Sequence, residues 1–400
     1  MGNEQQYCLC FNQPQQGNEK NLSNFTHTMN NPIIQNIDYK DTENKSFVSL
    51  FEKKLPEIGQ YSSVNDLTSQ ISNKTKTHLA DNPLDISKYS TNSKIFEMKP
   101  IHFNNGNIYY GNWNEMIQME GYGKMLLSKE GILAEGLWKE GQLVKGRIYF
   151  PNDDIYEGDV KNSTFEGHGT LYFSDGVIYK GEFVCGERSG KGQQIYPDHS
   201  IYNGQFKNDL FNGEGEFTWS NGVTYKGMFV DSQLCGKGKL MCSKLNSCYE
   251  GMFKENKFHG KGKYIWGNTQ NVYEGQYENG IKQGKGVYVK NKKFVFDGMF
   301  NNGKPHGYGE MSIGNVKYKC IWRYGQSAEL PTILEGNEQQ QQQQYDSSNN
   351  NINEMINFQV EQEDIDVKML NFLNNSDSNY IESNSVIEAG QFLPTEQFTE

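Results

Sequence analysis

Residues 202–227 read Tyr-Asn-Gly-Gln-Phe-Lys-Asn-Asp-Leu-Phe-Asn-Gly-Glu-Gly-Glu-Phe-Thr-Trp-Ser-Asn-Gly-Val-Thr-Tyr-Lys-Gly. One unit is complete here and the next has begun. An aromatic, a glycine and a second aromatic occupy alternate positions (Tyr202, Gly204, Phe206), a pair of glycines follows seven residues on (Gly213, Gly215), and Tyr225-Lys226-Gly227 starts again. Alternate positions share one face of an extended strand, because side chains in a strand point to opposite faces in turn. The unit therefore reads as a β-hairpin: one strand from the aromatic triplet, a second from the run Gly213, Gly215, Phe217, Trp219, and a glycine-containing connection between them.

Outward from this unit the pattern recurs at intervals of 22 to 25 residues. Its opening column is Tyr109, Ala134, Tyr156, Tyr179, Tyr202, Tyr225, Tyr249, Tyr273, Phe296 and Tyr318. Two residues on stand Gly111, Gly136, Gly158, Gly181, Gly204, Gly227, Gly251, Gly275, Gly298 and Cys320. The third column is Trp113, Trp138, Val160, Phe183, Phe206, Phe229, Phe253, Tyr277, Phe300 and Trp322. Glycine pairs such as Gly190 and Gly192 complete each unit, and turn-formers such as Asn105-Gly106, Asp175-Gly176 and Asn221-Gly222 join it to the next. A lone hairpin is marginal in water, whereas stacked copies bury a continuous row of rings. The expectation is an elongated single-layer antiparallel sheet of about ten stacked hairpins, ~95 Å long at the spacing of neighbouring strands. Rings are expected to lie over the glycines, with Tyr202, Tyr225 and Tyr249 stacked in register. The copy from Ala134 to Ile148, which lacks the opening ring and one glycine, is expected to pair less regularly.

The pattern resembles the MORN repeat (membrane occupation and recognition nexus), most fully in Tyr179 to Gly192, through Gly181, Phe183 and Gly190, in Tyr273 to Gly286 and in Phe296 to Gly309. The resemblance covers residues 97–325. It implies a non-enzymatic scaffold with roles in the cell cortex, cilia or membrane junctions. It also leaves open a soluble structural component of a ciliary axoneme, and a regulatory binding module for a lipid kinase.

Charge is unevenly spread. Of the net −11, residues 1–100 contribute −1, residues 101–325 +3 and residues 326–400 −13. With no strongly basic module and no zinc-finger spacing, nucleic acid is not an expected partner. No apolar run is long enough for a transmembrane helix, and no secretory leader is expected. The seven cysteines read as cytosolic thiols. Residues 11–96 read as a mostly disordered flank, dominated by Asn, Gln and Ser over 11–46, and 326–400 as an acidic Gln/Asn-rich tail, dominated by the same residue types over 334–362. Each holds one amphipathic stretch of helical spacing: Phe47, Leu50, Phe51, Leu55 and Ile58 within 46–58, and Ile365, Met369, Phe372 and Leu373 within 363–374. These read as caps packed on the ribbon or as dimerisation and partner-binding elements.

The chain opens Met1-Gly2-Asn3-Glu4-Gln5-Gln6-Tyr7-Cys8-Leu9-Cys10. Gly2 behind Met1 is the acceptor that N-myristoylation requires, although Gln6 stands where the usual pattern has Ser or Thr. One myristoyl chain binds a bilayer only reversibly, so Cys8 and Cys10, held beside it, supply the second signal as S-acylation sites. Residues 1–10 thus read as a lipid anchor to the cytosolic face of a plasma, ciliary or cortical membrane. Lys237, Lys239, Lys261, Lys263 and Lys285 fall at alternate positions of successive second strands and form a candidate surface for anionic phospholipid, diluted by Glu250 and Glu274. No catalytic residue, cofactor or metal site is expected. His168, His259 and His306 read as turn residues, Cys235, Cys242, Cys248 and His259 lack zinc-ligand spacing, and the Gly-x-Gly pairs lack a P-loop or Rossmann context.

Overall fold

The computed structural model describes residues 72–73, 76–77, 84–85, 94–97, 100–103, 106–329 and 331–335. The amphipathic stretches at 46–58 and 363–374, the proposed anchor at 1–10 and most of both flanks lie outside these residues. Twenty-three strands make one antiparallel sheet: β1 (Phe96–Glu97), β2 (Ile101–His102), β3 (Ile108–Trp113), β4 (Met119–Leu127), β5 (Ile132–Lys139), β6 (Gln142–Tyr149), β7 (Ile155–Lys161), β8 (Thr164–Tyr172), β9 (Ile178–Val184), β10 (Glu187–Ile195), β11 (Ile201–Lys207), β12 (Leu210–Thr218), β13 (Val223–Val230), β14 (Gln233–Cys242), β15 (Ser247–Lys254), β16 (Lys257–Trp266), β17 (Asn271–Glu278), β18 (Ile281–Lys290), β19 (Phe294–Asn301), β20 (Lys304–Ile313), β21 (Val316–Arg323), β22 (Gln326–Ser327) and β23 (Thr332–Glu335). From β3 to β21 each strand pairs with its sequence neighbours, as in the run β12, β13, β14, β15. β1 and β2 pair with β3 at one end, and β22 and β23 pair with β21 at the other. Nine full hairpins are followed by a tenth unit in which β22 and β23 stand in for a second strand, so the sheet runs on past Gly325 to Glu335.

Eight of the nine full hairpins close on a two-residue turn with both φ angles positive, and β3 and β4 are joined by a longer loop. Four of the eight carry the expected glycine, at Gly141, Gly186, Gly280 and Gly303, whereas the others do without it, as at Asn208 and Asp209 with 49° and 65°, Asp231 and Ser232 with 47° and 62°, and Glu255 and Asn256 with 50° and 62°. This is the turn whose twist matches that of the flanking strands, and Asn or Asp tolerates it without glycine. The turns between units are built differently. Asn221 Oδ1 accepts from Val223 N at 2.9 Å while Gly222 N bonds Trp219 O at 2.9 Å, an arrangement repeated by Asp175 with Val177 and Gly176 with Phe173.

The two glycines of each pair prove to have separate jobs. The second belongs to a ladder that runs strand to strand across the sheet, Gly204 opposite Gly215, Gly215 opposite Gly227, Gly227 opposite Gly238, Gly238 opposite Gly251, and so on to Gly309. A Cβ on Gly227 would lie 2.4 Å from the Tyr225 hydroxyl and 2.6 Å from Gly238 Cα, and one on Gly238 would lie 2.5 Å from the Tyr225 ring. The expectation that rings lie over glycine holds here. The first glycine of the pair faces no ring. Gly236 has φ +62° and its nearest neighbour is Met228 Cβ at 3.5 Å, so it serves the backbone, at the point where the pairing of β13 and β14 shifts register.

Beside that shift the Tyr225 hydroxyl donates to the Met228 carbonyl at 2.9 Å. Tyr179, Tyr202, Tyr249 and Tyr273 bond the carbonyl three residues on in the same way, at 2.8 to 3.0 Å. Burial pushes the phenols of Tyr179, Tyr202, Tyr225 and Tyr249 well above their ordinary range, so they remain donors at any physiological pH. Tyr202, Tyr225 and Tyr249 share one face and are fully buried, yet they do not stack on one another. Phe229 stands edge-on between the first two, 5.1 Å from each, and Phe253 stands likewise between Tyr225 and Tyr249. The stacked contacts are made instead with the second strand, Tyr202 on Phe211 at 3.8 Å and Tyr249 on Phe258 at 3.7 Å. A π quadrupole favours this edge-to-face and offset geometry over a column of parallel rings.

The unit opened by Ala134 is not irregular. β5 and β6 pair from Leu133 opposite Tyr149 to Lys139 opposite Gln142, with one shift at the usual place. Gly136 and Gly146 face each other's backbone directly, a Cβ on Gly136 meeting Lys145 O at 2.3 Å. The hydrogen-bonded ladder needs the glycine, not the ring. Gly227→Val should lower the melting temperature far more than Lys226→Ala, by ~1–3 kcal/mol for the intruding side chain. Tyr225→Phe, which removes the bond to the Met228 carbonyl, should cost ~0.5–1.5 kcal/mol, and equal melting curves for Tyr225→Phe and the native chain would remove the hydroxyl from the account.

Candidate interaction surface

With one face filled by rings, every other residue of each strand points to the opposite, outer face, and register aligns these into rows. One row lies just before the opening aromatic and runs Ile178, Ile195, Ile201, Thr218, Thr224, Met241, Cys248, Ile265, Val272, Val289 and Val295 from β9 to β19, each opposite the next. It is apolar or β-branched throughout and open to solvent, mostly half-exposed, with Met241 exposed at 43%. β-Branched residues facing each other across strands stabilise the sheet, which accounts for the composition without accounting for the exposure. Sequence reading missed this row, because position by position its residues look like ordinary strand formers and only the strand-to-strand register joins them.

Beside it runs a row that carries charges of both signs, Glu216, Lys226, Lys239, Glu250, Lys263 and Glu274, with Lys226 opposite Lys239. Lys226 pairs with Glu216 at 3.6 Å, Lys239 with Glu250 at 4.0 Å and Lys263 with Glu274 at 3.1 Å. Of the five lysines read as a lipid surface, Lys239 and Lys263 belong to this row. Lys237, Lys261 and Lys285 belong to a third, where they sit opposite Met252, Gln276 and Met299. Lys285 also approaches Asp297 at 4.0 Å. The structure thus brings the five to one face in two rows, with acidic partners on three of them. Such exposed pairs contribute little to stability, ~0–1 kcal/mol each.

Cys248 lies in the apolar row. Burial raises its thiol above the ordinary range, and Glu250 adds to this against the opposing effect of Lys239. His168, His259 and His306 stand in separate hairpins, and among the described residues no group of three His, Cys, Asp or Glu side chains is placed to hold a metal ion. Gly2, Cys8 and Cys10 lie outside the described residues.

Two cations enter the ring face. Arg188 and Lys282 occupy the second-strand position that Phe211 and Phe258 fill elsewhere, and both are buried. Arg188 bonds Asp209 Oδ1 at 2.9 Å and Gln194 Oε1 at 2.6 Å, and its guanidinium sits 5.8 Å from the Phe173, Tyr179 and Phe206 rings. Lys282 lies 4.6 Å from Trp266. Cation–π contact lets the aromatic face accept these two charges.

Comparison with known proteins agrees with the architecture. The MORN repeat family matches seven segments, residues 156–178, 179–201, 202–224, 225–246, 249–269, 273–292 and 296–315. No curated protein matches the chain. Among solved structures, the TCP10 domain of Danio rerio CPAP in complex with a STIL peptide is 11% identical, covering 57% of this chain and 100% of its own, with a TM-score of 0.29. The TCP10c domain of Drosophila melanogaster Sas-4 is 13% identical, covering 44% of this chain and 94% of its own, with a TM-score of 0.21. Overlaps this low carry no argument about function. Thiol alkylation reads the open row directly: Cys248 should react more slowly than the exposed turn residue Cys185 at the same pH, because the thiolate is the nucleophile and burial disfavours it. Equal rates in peptide mapping would contradict the placement of Cys248.

Proposed function

Because the chain is a MORN-repeat protein, we propose that it acts as a non-enzymatic scaffold, held by N-terminal acyl groups at a cytosolic membrane face and presenting the outer face of its sheet to protein partners. One observation carries the protein-binding part, the apolar row from Ile178 to Val295, open to solvent over eleven consecutive strands and flanked by charges of both signs. A row of this kind can accept an apolar edge or stripe of a partner, while the adjacent charges fix its register without strong net attraction. The residues Gly2, Cys8 and Cys10 support the membrane part, since a myristoyl chain at Gly2 joined by S-acylation at the cysteines would hold a protein on a bilayer where one chain does not. Assemblies of the cell cortex or cilium are the proposed setting.

The two parts separate experimentally. In cells, Gly2→Ala should shift the protein to the soluble fraction while it keeps its cross-linked protein partners. Ile195→Asp with Ile265→Asp and Val289→Asp should do the reverse, staying on membranes and losing partners. A triple variant with its full set of partners would sink the outer-face reading, and a native N-terminal peptide found unacylated by mass spectrometry would sink the anchor and favour an axonemal role.

A contribution of the lysines to membrane contact is testable on the Gly2→Ala chain, which removes the acyl term. Charge reversal at Lys237, Lys261 and Lys263 should weaken binding to anionic vesicles, and the loss should shrink as added salt screens exposed charge. Absence of binding by the unreversed chain at low salt ends that proposal.

A further inference from the structure

The open stretch of the outer apolar row is bounded at both ends. Register carries the row back to Ile108, Leu126, Leu133, Tyr149 and Ile155 on β3 to β7, where it is buried, and forward to Ser312 on β20 and Lys317 on β21, where it turns polar. From Ile178 on β9 to Val295 on β19 the middle strand is β14, and Met241 stands there. The charged row beside it has the same middle, at Lys239. One strand to either side of Lys239 lie Lys226 and Glu250, two strands away lie Glu216 and Lys263, and five strands away lie Lys180 and Asp297. Each couple is of opposite sign. Three and four strands out, where Asn203 is matched with Glu274 and Gln193 with Val287, no two charges meet.

A surface whose charges change sign about its own centre complements a second copy of itself, and a twofold interface requires that self-complementarity. The direction of the axis follows from the rows. An axis along a strand reverses the order of strands and sets each row over itself, apolar on apolar and charged on charged. An axis along the apolar row would keep the strand order and send the two charged rows to opposite sides. The position of the axis follows from the signs, because a centre half a strand earlier would set Lys226 on Lys239 and Glu216 on Glu250. Two rows over β9 to β19 supply about 22 residues a side, inside the ~20–30 of a standard interface.

We propose that two copies of this chain pack outer face to outer face about a twofold axis along β14, with β9 of one over β19 of the other. The inference rests on the outer-face reading above and names the occupant. Met241 then meets its own copy and Ile195 comes over Val289. Glu216 and Lys226 of one chain face Lys263 and Glu250 of the other, which gives every charge of the quartet two neighbours of opposite sign. In the next row Glu214 comes opposite Lys261 and Met228 opposite Met252, while Lys191 comes opposite Lys285, and Lys237 and Lys239 meet their own copies on the axis. Those like charges oppose association, so the apolar row supplies the affinity and the opposite couples fix the register. Because sheets twist, the couples within two strands of β14 carry most of that discrimination.

The test uses the full-length Gly2→Ala chain, which cannot be myristoylated. Sedimentation equilibrium should show a dimer. Lys263→Glu, which faces Glu216 of the other copy, should raise the dissociation constant about tenfold or more. Adding Glu216→Lys should restore the dimer, whereas adding Glu274→Lys, which rebuilds only the pair within one chain, should not. A chain that is monomeric at every concentration, a dimer indifferent to Lys263→Glu, or rescue by Glu274→Lys as full as that by Glu216→Lys overturns the proposal. A photo-crosslinker in place of Ile195, in a mixture of isotope-labelled and unlabelled protein, should reach residues 281–295 of a second chain. A link to 187–207 of the second chain, or none between chains, overturns it as well. If the dimer fails while Ile195→Asp with Ile265→Asp and Val289→Asp still strips partners in cells, the second copy falls and the outer-face reading stands.

Discussion

The contact on which the rest depends is glycine against glycine between neighbouring strands, repeated from Gly111 on β3 to Gly309 on β20. Removing every side chain from one line across the sheet opens a channel at the backbone, and the tyrosine rings lie in it. Nothing larger than hydrogen fits, since a Cβ at these positions would meet backbone or ring atoms at about half to two-thirds of a normal contact distance. Only at the end of the ladder does another residue appear. There Cys320 donates its thiol to Gly309 O at 3.2 Å and accepts from Trp322 Nε1 at 3.1 Å, so a sulfur closes the line that glycine began.

From that constraint the chemistry of each unit follows. A ring held flat over the backbone carries its hydroxyl to the carbonyl three residues on, which explains tyrosine in the opening column and not simply any aromatic. Phe296 has no hydroxyl to offer and keeps the ring contacts alone, 5.5 Å from Phe300 and 5.9 Å from Trp322. With the rings turned edge to face, successive units touch through a third-column ring, phenylalanine between most of them and Trp138, Tyr277 or Trp322 elsewhere. Stability is then built from nearest-neighbour terms along a line, as in other repeat proteins.

One face being fully committed to this packing, the other is available for recognition. Its apolar row is half-open over most of the sheet and buried over β3 to β7, although the residue types match: Ile155 is buried and Ile178, one unit on, is not. A uniform repeat thus presents a surface that is not uniform.

The sequence alone determined the number and period of the hairpins, the face that carries the rings and the close approach over Gly227 and Gly238. These are properties of residues near one another in the chain, and the period of two in a strand makes them legible. It misplaced the ring contacts of Tyr202, Tyr225 and Tyr249 and the order expected around Ala134, because whether rings stack or meet at an edge, and whether a ladder survives without one, is settled by the geometry between strands. Only the tertiary structure assembled the row from Ile178 to Val295 and split Lys237, Lys239, Lys261, Lys263 and Lys285 between two rows with acidic neighbours. Both depend on register across strands some twenty residues apart in sequence, where the bulge at each first glycine shifts the pairing by an amount that no single unit reveals.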